Sequence, residues 1–223
     1  MKKIYLALSC LQGRPMDIAF NELASFSPYG IQLTPGNAPT VDFERHVNNS
    51  KLSMLTHHGF CWTALRRPVW GGNGQCLVQS NSIHPPKESK VTQTQWLNIL
   101  DNPSLPTLET MYPGYYLGNE NDLEDAMAKK LSLAVDVSHV NIQLEQGVLN
   151  NAILKKLLSY SHINEIHVSA NNGKRDQHRP IDNNTFGLSW AKEKAEDGTP
   201  IVIESYWHKL RQEERIEQLA HFK

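Results

Sequence analysis

Short runs of branched and aromatic apolar residues punctuate the chain, and eight of them read as buried strands, at residues 4–10, 31–34, 52–57, 76–83, 107–111, 131–137, 165–169 and 201–204. Each is followed by a loop and then by a segment that can form a helix. Near-continuous apolar runs, as opposed to alternating ones, are what strands covered on both faces require. Eight such units in succession predict an α/β fold of one specific kind, a (β/α)8 TIM barrel, with residues 1–223 as a single domain.

The helical segments differ in quality. Residues 122–130 have an acidic start after Asn119 and end in Lys129 and Lys130, as the helix dipole favours. Residues 148–160 put Val148, Ile153, Leu154, Leu157 and Leu158 close to one face. Residues 17–26, 92–100 and 208–222 are further helices, the last highly charged and suited to covering the closing seam. Residues 35–50 and 62–74 read poorly as helices, and Arg66-Arg67-Pro68-Val69-Trp70-Gly71-Gly72 reads as a loop where an active-site loop is expected.

Composition narrows the setting. With 22 Lys and Arg against 23 Asp and Glu, the net charge of −1 gives no general attraction for polyanions. Cys10, Cys61 and Cys76 are odd in number, scattered and free of any C-x-x-C spacing, so neither a disulfide framework nor a thiolate zinc site is expected; a reducing, cytoplasmic setting fits. The opening Met1-Lys2-Lys3 and the apolar run after it imitate a signal peptide, but that run is short for one and reads as the first strand. No apolar run approaches the ~18 residues of a membrane helix, so no membrane partner is expected.

Ten histidines are the one compositional oddity. His57 and His58 end the third strand, His84 the fourth, Glu109 the fifth and Asp136 the sixth, with His139 three residues on. His167 lies on the seventh strand, followed by Asp176 and His178, and Glu204 ends the eighth. Singly, each has an ordinary explanation, such as a loop histidine, a rim charge or an aspartate capping a helix. Placed independently, they would not favour the same end of six successive strands, the end where barrel active sites form. Four carboxylates crowded at one mouth carry a severe electrostatic cost, which metal ions remove. Imidazole and carboxylate without thiolate suit zinc, manganese or iron.

With these residues in this order, the chain resembles the xylose isomerase-like superfamily of barrels, over nearly its whole length, and in ligand pattern the endonuclease IV enzymes (AP endonuclease family 2). Glu109, Asp136, His139, His167 and Glu204 match what the whole superfamily shares, and His57 or His58, His84, Asp176 and His178 match the endonuclease IV additions. The resemblance implies up to three zinc ions. His57, His84 and Glu109 would hold one; Glu109 would bridge to a second completed by Asp136, His167 and Glu204; His139, Asp176 and His178 would hold the third. Strand alternation leaves His57 and His58 both open as the first ligand, with His57 favoured because Phe60 then falls where that family often has an aromatic residue. Three divalent ions and four ionised carboxylates leave about +2, which suits a phosphate-like anion. The implied chemistry is phosphoester hydrolysis by metal-activated water, with Glu109 and Glu204 as the catalytic carboxylates.

The loops with which DNA-repair relatives grip DNA are not evident, and no ladder of cations and aromatics marks a strand-binding groove. Arg66, Arg67 and Trp70, with Lys174 and Arg175 near the third-metal ligands, are candidate substrate contacts, pointing to a small molecule or short nucleotide rather than duplex DNA. A second reading is a sugar or sugar-phosphate isomerase or epimerase with one divalent metal, Glu109 and Glu204 moving protons. A third is a multinuclear iron oxidase acting on peptides, compatible with Tyr112 and Tyr115. The last is a barrel that binds a small molecule without chemistry.

Overall fold

Leu6, Ile31, Ile166, Val168, Val202 and Ile203 are all but completely excluded from solvent, and the strands that carry them lie side by side in parallel. In the computed structural model, which describes residues 2–223, the strands are β1 (Ile4–Ala7), β2 (Gly30–Leu33), β3 (Ser53–Thr56), β4 (Ser82–Ile83), β5 (Thr107–Glu109), β6 (Leu133–Asp136), β7 (Ile163–Val168) and β8 (Ile201–Ile203). They form one sheet in the order β3-β2-β1-β8-β7-β6-β5-β4, with every pairing parallel. The two ends meet where His57 bridges to Ser82, and the His58 amide donates to the Ser82 carbonyl at 3.0 Å. The fold is therefore the expected (β/α)8 TIM barrel.

Eight α-helices surround it: α1 (Met16–Ala24), α2 (Phe43–Asn48), α3 (Gln93–Leu100), α4 (Glu120–Ala128), α5 (Val137–Glu145), α6 (Asn151–Leu158), α7 (Leu188–Glu196) and α8 (Gln212–Ala220). Thr92 and Gln95 form a capping box at the start of α3, and Asn119 and Asn150 cap α4 and α6 with their side chains. At the start of β2, Gly30 is required sterically, since a Cβ there would lie 2.2 Å from the Ser53 carbonyl oxygen and 2.4 Å from the Tyr5 ring.

Several elements depart from the sequence pattern. The run at 76–83 contributes only Ser82–Ile83 to the sheet, because Cys76 pairs antiparallel with Trp70 and the Leu77 amide donates to the Val69 carbonyl, which commits it to a loop hairpin. The first strand stops at Ala7, and Leu8–Leu11 turn into a single 3-10 turn. A six-residue helix, α2, forms within 35–50, opened by Asp42 at a φ of 63° with no side-chain cap. The loop at 62–74 has no helix, as expected.

Candidate metal centre

Each candidate ligand is delivered by a strand end or the loop just beyond it. β5 ends in Glu109, 1% exposed, and β6 in Asp136, which is fully buried. His57 follows β3, His84 follows β4, and Glu204 follows β8. His167 lies within β7 and His139 in the first turn of α5, while Asp176 and His178 occupy the loop after β7. The nine residues converge on the C-terminal mouth of the barrel.

The ligand atoms are spaced as a coordination shell requires. His57 Nε2 and His84 Nε2 are 3.0 Å apart, and each lies 3.3–3.4 Å from Glu109 Oε2. Nitrogen and oxygen ligands about 2.0–2.1 Å from a tetrahedral zinc stand about 3.3 Å from one another, so this triangle has the edges of one face of such a site. His167 Nδ1 lies 3.2 Å from Glu109 Oε2 and 3.3 Å from Glu204 Oε1, and Asp136 completes a group with His167 and Glu204. Asp176 Oδ2 is 3.4 Å from His139 Nε2 and 3.0 Å from His178 Nε2. Three sets bring their ligand atoms close enough to hold an ion, namely His57, Glu109 and His167; Glu109, Asp136 and His139; and Asp136, His167 and Glu204. The second Glu109 oxygen reaches His139 Nδ1 at 3.2 Å.

Outer partners determine which nitrogen faces the centre. A carbonyl only accepts, so His139 Nδ1 donates to the Thr110 carbonyl at 2.9 Å and Nε2 is the nitrogen turned toward Asp176. His167 Nε2 lies 3.2 Å from the carboxylate of Glu165, to which it donates, and this turns Nδ1 toward the cluster. Carboxylate–histidine pairs of this type orient metal-binding imidazoles. His57 Nδ1 is 2.9 Å from the Ser82 hydroxyl, which orients the ring with Nε2 toward Glu109. Both Glu109 oxygens, Asp136 Oδ2, His139 Nε2 and His167 Nδ1 are buried without a hydrogen-bond partner, and all five aim into the cluster. Buried polar atoms are rarely left so, and the donor set fits divalent cations.

Electrostatics divide the groups sharply. Burial pushes the Glu109 carboxyl upward, but the neighbouring imidazoles of His84, His167 and His139 outweigh it and hold it well below the usual range. Burial would lower His139 and His167, yet Asp136, Asp176 and Glu109 raise the first, and Glu204, Glu109 and Glu165 the second, well above the ordinary histidine value. Glu204 is pushed up to about 7 by burial, with Glu109 and Asp136 adding to it. His178 rises against its burial to about 9 on account of Asp176. His57 is held neutral, lowered by burial and by neighbouring imidazoles.

His58 stands apart from the ligands. Its ring stacks on His84 with centroids 3.8 Å apart, and its Nδ1 accepts from the His84 amide at 3.1 Å, so it positions His84 while His57 faces Glu109. Burial, with His84 next to it, lowers it to about 3, which keeps the stacked ring neutral. Trp70 donates its indole N–H to the His84 carbonyl at 2.9 Å. Lys174 and Arg175 are exposed and line neither cavity at the mouth.

Two cavities open at this face. A narrow one of about 130 Å³ leads to His57, His84, His178 and Glu204 between Ser9, Gln12, Thr34 and Tyr206. A larger one of about 580 Å³ lies beside it and carries Arg66, Arg67, Trp70, Lys87, Lys90 and Tyr115; His58 lines both. Glu165, Lys87 and Lys90 were not among the sequence-based expectations. Glu165 shares parity with His167 on one strand, and that alternation is the signal that marks it as facing inward.

No known family model matches the sequence, and no curated protein matches it. Fold and site together define a TIM barrel with a buried histidine and carboxylate cluster suited to binding metal ions. Among the described residues, no helix is long and apolar enough to cross a membrane.

Proposed function

We propose that this protein is a metal-dependent phosphoester hydrolase of the endonuclease IV type within the xylose isomerase-like barrels, with up to three zinc ions at its mouth. The carrying observation is that Glu109 Oε2 lies 3.2–3.4 Å from His57, His84 and His167, while His167 also belongs to a second group with Asp136 and Glu204. A mononuclear site has no use for that arrangement, whereas adjacent ions do. Ions held there would polarise a phosphoryl oxygen and activate water.

The chain's own groups complete the chemistry. Glu109 spans the cluster and fixes the relative places of the ligand groups. Glu204 lines the narrow opening and, with Asp136 and His167, would hold the second ion there. The 130 Å³ opening admits a small reacting group.

Elemental analysis of the purified protein, followed by assay on bis(4-nitrophenyl) phosphate and an abasic oligonucleotide, tests the reading. Two or three zinc or manganese ions per chain with phosphoester cleavage are expected. His84→Ala is expected to lower the metal count and the activity with the fold intact, and Glu204→Ala, which removes a carboxylate ligand, to do more damage. One ion with ketose–aldose interconversion would replace this reading by the isomerase. Two or three irons without cleavage would replace it by the oxidase, and no metal after reconstitution by a binding barrel.

A further inference from the structure

The 580 Å³ cleft beside the metal centre gathers Arg66, Arg67, Lys87 and Lys90 with no carboxylate in its lining. The Lys and Arg ion pairs among the described residues lie elsewhere on the protein. In a chain of net charge −1, this is a local concentration of unpaired positive charge. Other surface cavities are different, since Arg45 is paired with Asp42 in one and Lys156 with Glu124 in another. Four mutually repelling cations around one cavity favour an anion between them.

The cleft is built on a fixed frame. Lys87 pairs antiparallel with Tyr115, and its ammonium lies 5.1 Å from that ring's centroid. The Tyr116 amide donates to the Pro86 carbonyl at 3.2 Å, tying the same two loops together. Across the cleft the arginine loop is anchored by the Trp70 indole on His84 and by the Arg67 amide on the Gly59 carbonyl. Gly59 has a φ of 75°, and a Cβ there would lie 2.7 Å from the Arg67 carbonyl oxygen, so glycine is what lets the loop approach. The floor, Val69, Pro85, Pro86 and Val91, is buried and apolar.

We infer that this cleft binds the non-reacting part of the substrate, a nucleotide-sized molecule with two phosphate groups and a flat apolar moiety. The volume falls in the range of small-molecule sites, about 300–1,000 Å³. The cations take the phosphates, and the apolar floor takes the flat moiety. His58, which lines both cavities and stacks on His84, places the bound anion one imidazole away from the metal ligands. The inference rests on the phosphoester reading for the role of the bound molecule, but its binding needs no metal.

The test uses full-length protein stripped of metal in EDTA, titrated calorimetrically with ADP and with inorganic pyrophosphate. ADP is expected to bind more tightly than pyrophosphate. Lys87→Ala/Lys90→Ala and Arg66→Ala/Arg67→Ala are each expected to weaken ADP by about tenfold or more. Asp176→Asn, outside the cleft, should keep ADP binding while losing metal. No binding of ADP, or binding indifferent to both double variants, overturns the inference. So does a single-stranded oligonucleotide that binds more tightly than ADP with steeper salt dependence, or an acidic peptide that binds where ADP does not. Cleft-dependent ADP binding by a protein that takes up no metal would leave the inference standing and remove the hydrolase reading.

Discussion

The carboxylate of Asp136 is divided between two tasks. Oδ1 accepts from the amides of Ser138 and His139 at 2.6 and 3.1 Å and caps α5, while Oδ2 faces the cluster without a hydrogen-bond partner. The helix cap and the proposed metal ligand, alternatives when only the sequence is considered, can therefore be one residue. Asn caps a helix about as well as Asp, whereas Ala costs roughly 1 kcal/mol. Asp136→Asn should therefore keep the thermal midpoint of the metal-free protein near wild type while lowering metal content, and Asp136→Ala should lower both. Equal metal content in wild type and Asp136→Asn would remove Asp136 from the ligand set.

Protons at the cluster give a second prediction at this scale. In the metal-free fold Glu204 titrates at about 7 against an ordinary 4.5, and His178 at about 9 against 6.5. Both are raised, so both stabilise the metal-free protein fully below their unfolded values and lose that contribution as pH rises, Glu204 between about 4.5 and 7 and His178 between about 6.5 and 9. Ligation requires the deprotonated forms, so metal binding at pH 7 should release protons and tighten as pH rises. Calorimetry in two buffers of different ionisation enthalpy measures the release; identical heats would show that the ligands are already deprotonated.

Among the elements, the loop between β3 and β4 does most to shape the mouth, and it is held to the site through Trp70. Trp70→Phe keeps the apolar ring but deletes the indole donor to the His84 carbonyl, a bond worth roughly 1 kcal/mol. The first metal group should then weaken by several-fold, with His139, Asp176 and His178 unaffected; a uniform loss of all ions would show instead that the loop supports the whole barrel. The same loop marks where the sequence pattern was legible and where it was not. Strand positions followed from apolar runs, and the ligands from their common place at strand ends. The run at 76–83 misled because Leu77 and Val78 are apolar, yet Leu77 is 50% exposed and pairs within a loop hairpin. Helix α5 opens on the capping Asp136, a signal that also reads as a metal ligand, whereas α7 has no such signal, opening at Gly187 with a φ of 73° and no side-chain cap. The choice between His57 and His58 turned on which ring faces inward, and that depends on the positive φ of 39° at His58, a backbone feature that no side-chain pattern encodes.

For the molecule as a whole, the barrel closes at its weakest seam through the residues of its site. β6 and β7 share a register of four residue pairs, whereas β3 and β4 meet at one bridge, His57 to Ser82, flanked by the His58 amide on Ser82 and the Asn81 amide on Thr56. Few backbone bonds cross that line, so local opening there should cost much less than global unfolding. His57 ends one side of the seam and His84 follows the other, with their Nε2 atoms 3.0 Å apart and both near Glu109. One ion bound by all three would therefore staple β3 to β4. In metal-free protein the His58 and Asn81 amides should exchange with deuterium at least about tenfold faster than amides of β6 and β7. Loading with zinc should slow the seam amides selectively, and His84→Ala should abolish that slowing while leaving β6 and β7 unchanged. Seam amides that ignore metal would mean that His57 and His84 do not share an ion, and the first metal group would have to be redrawn around Glu109 and His167 alone.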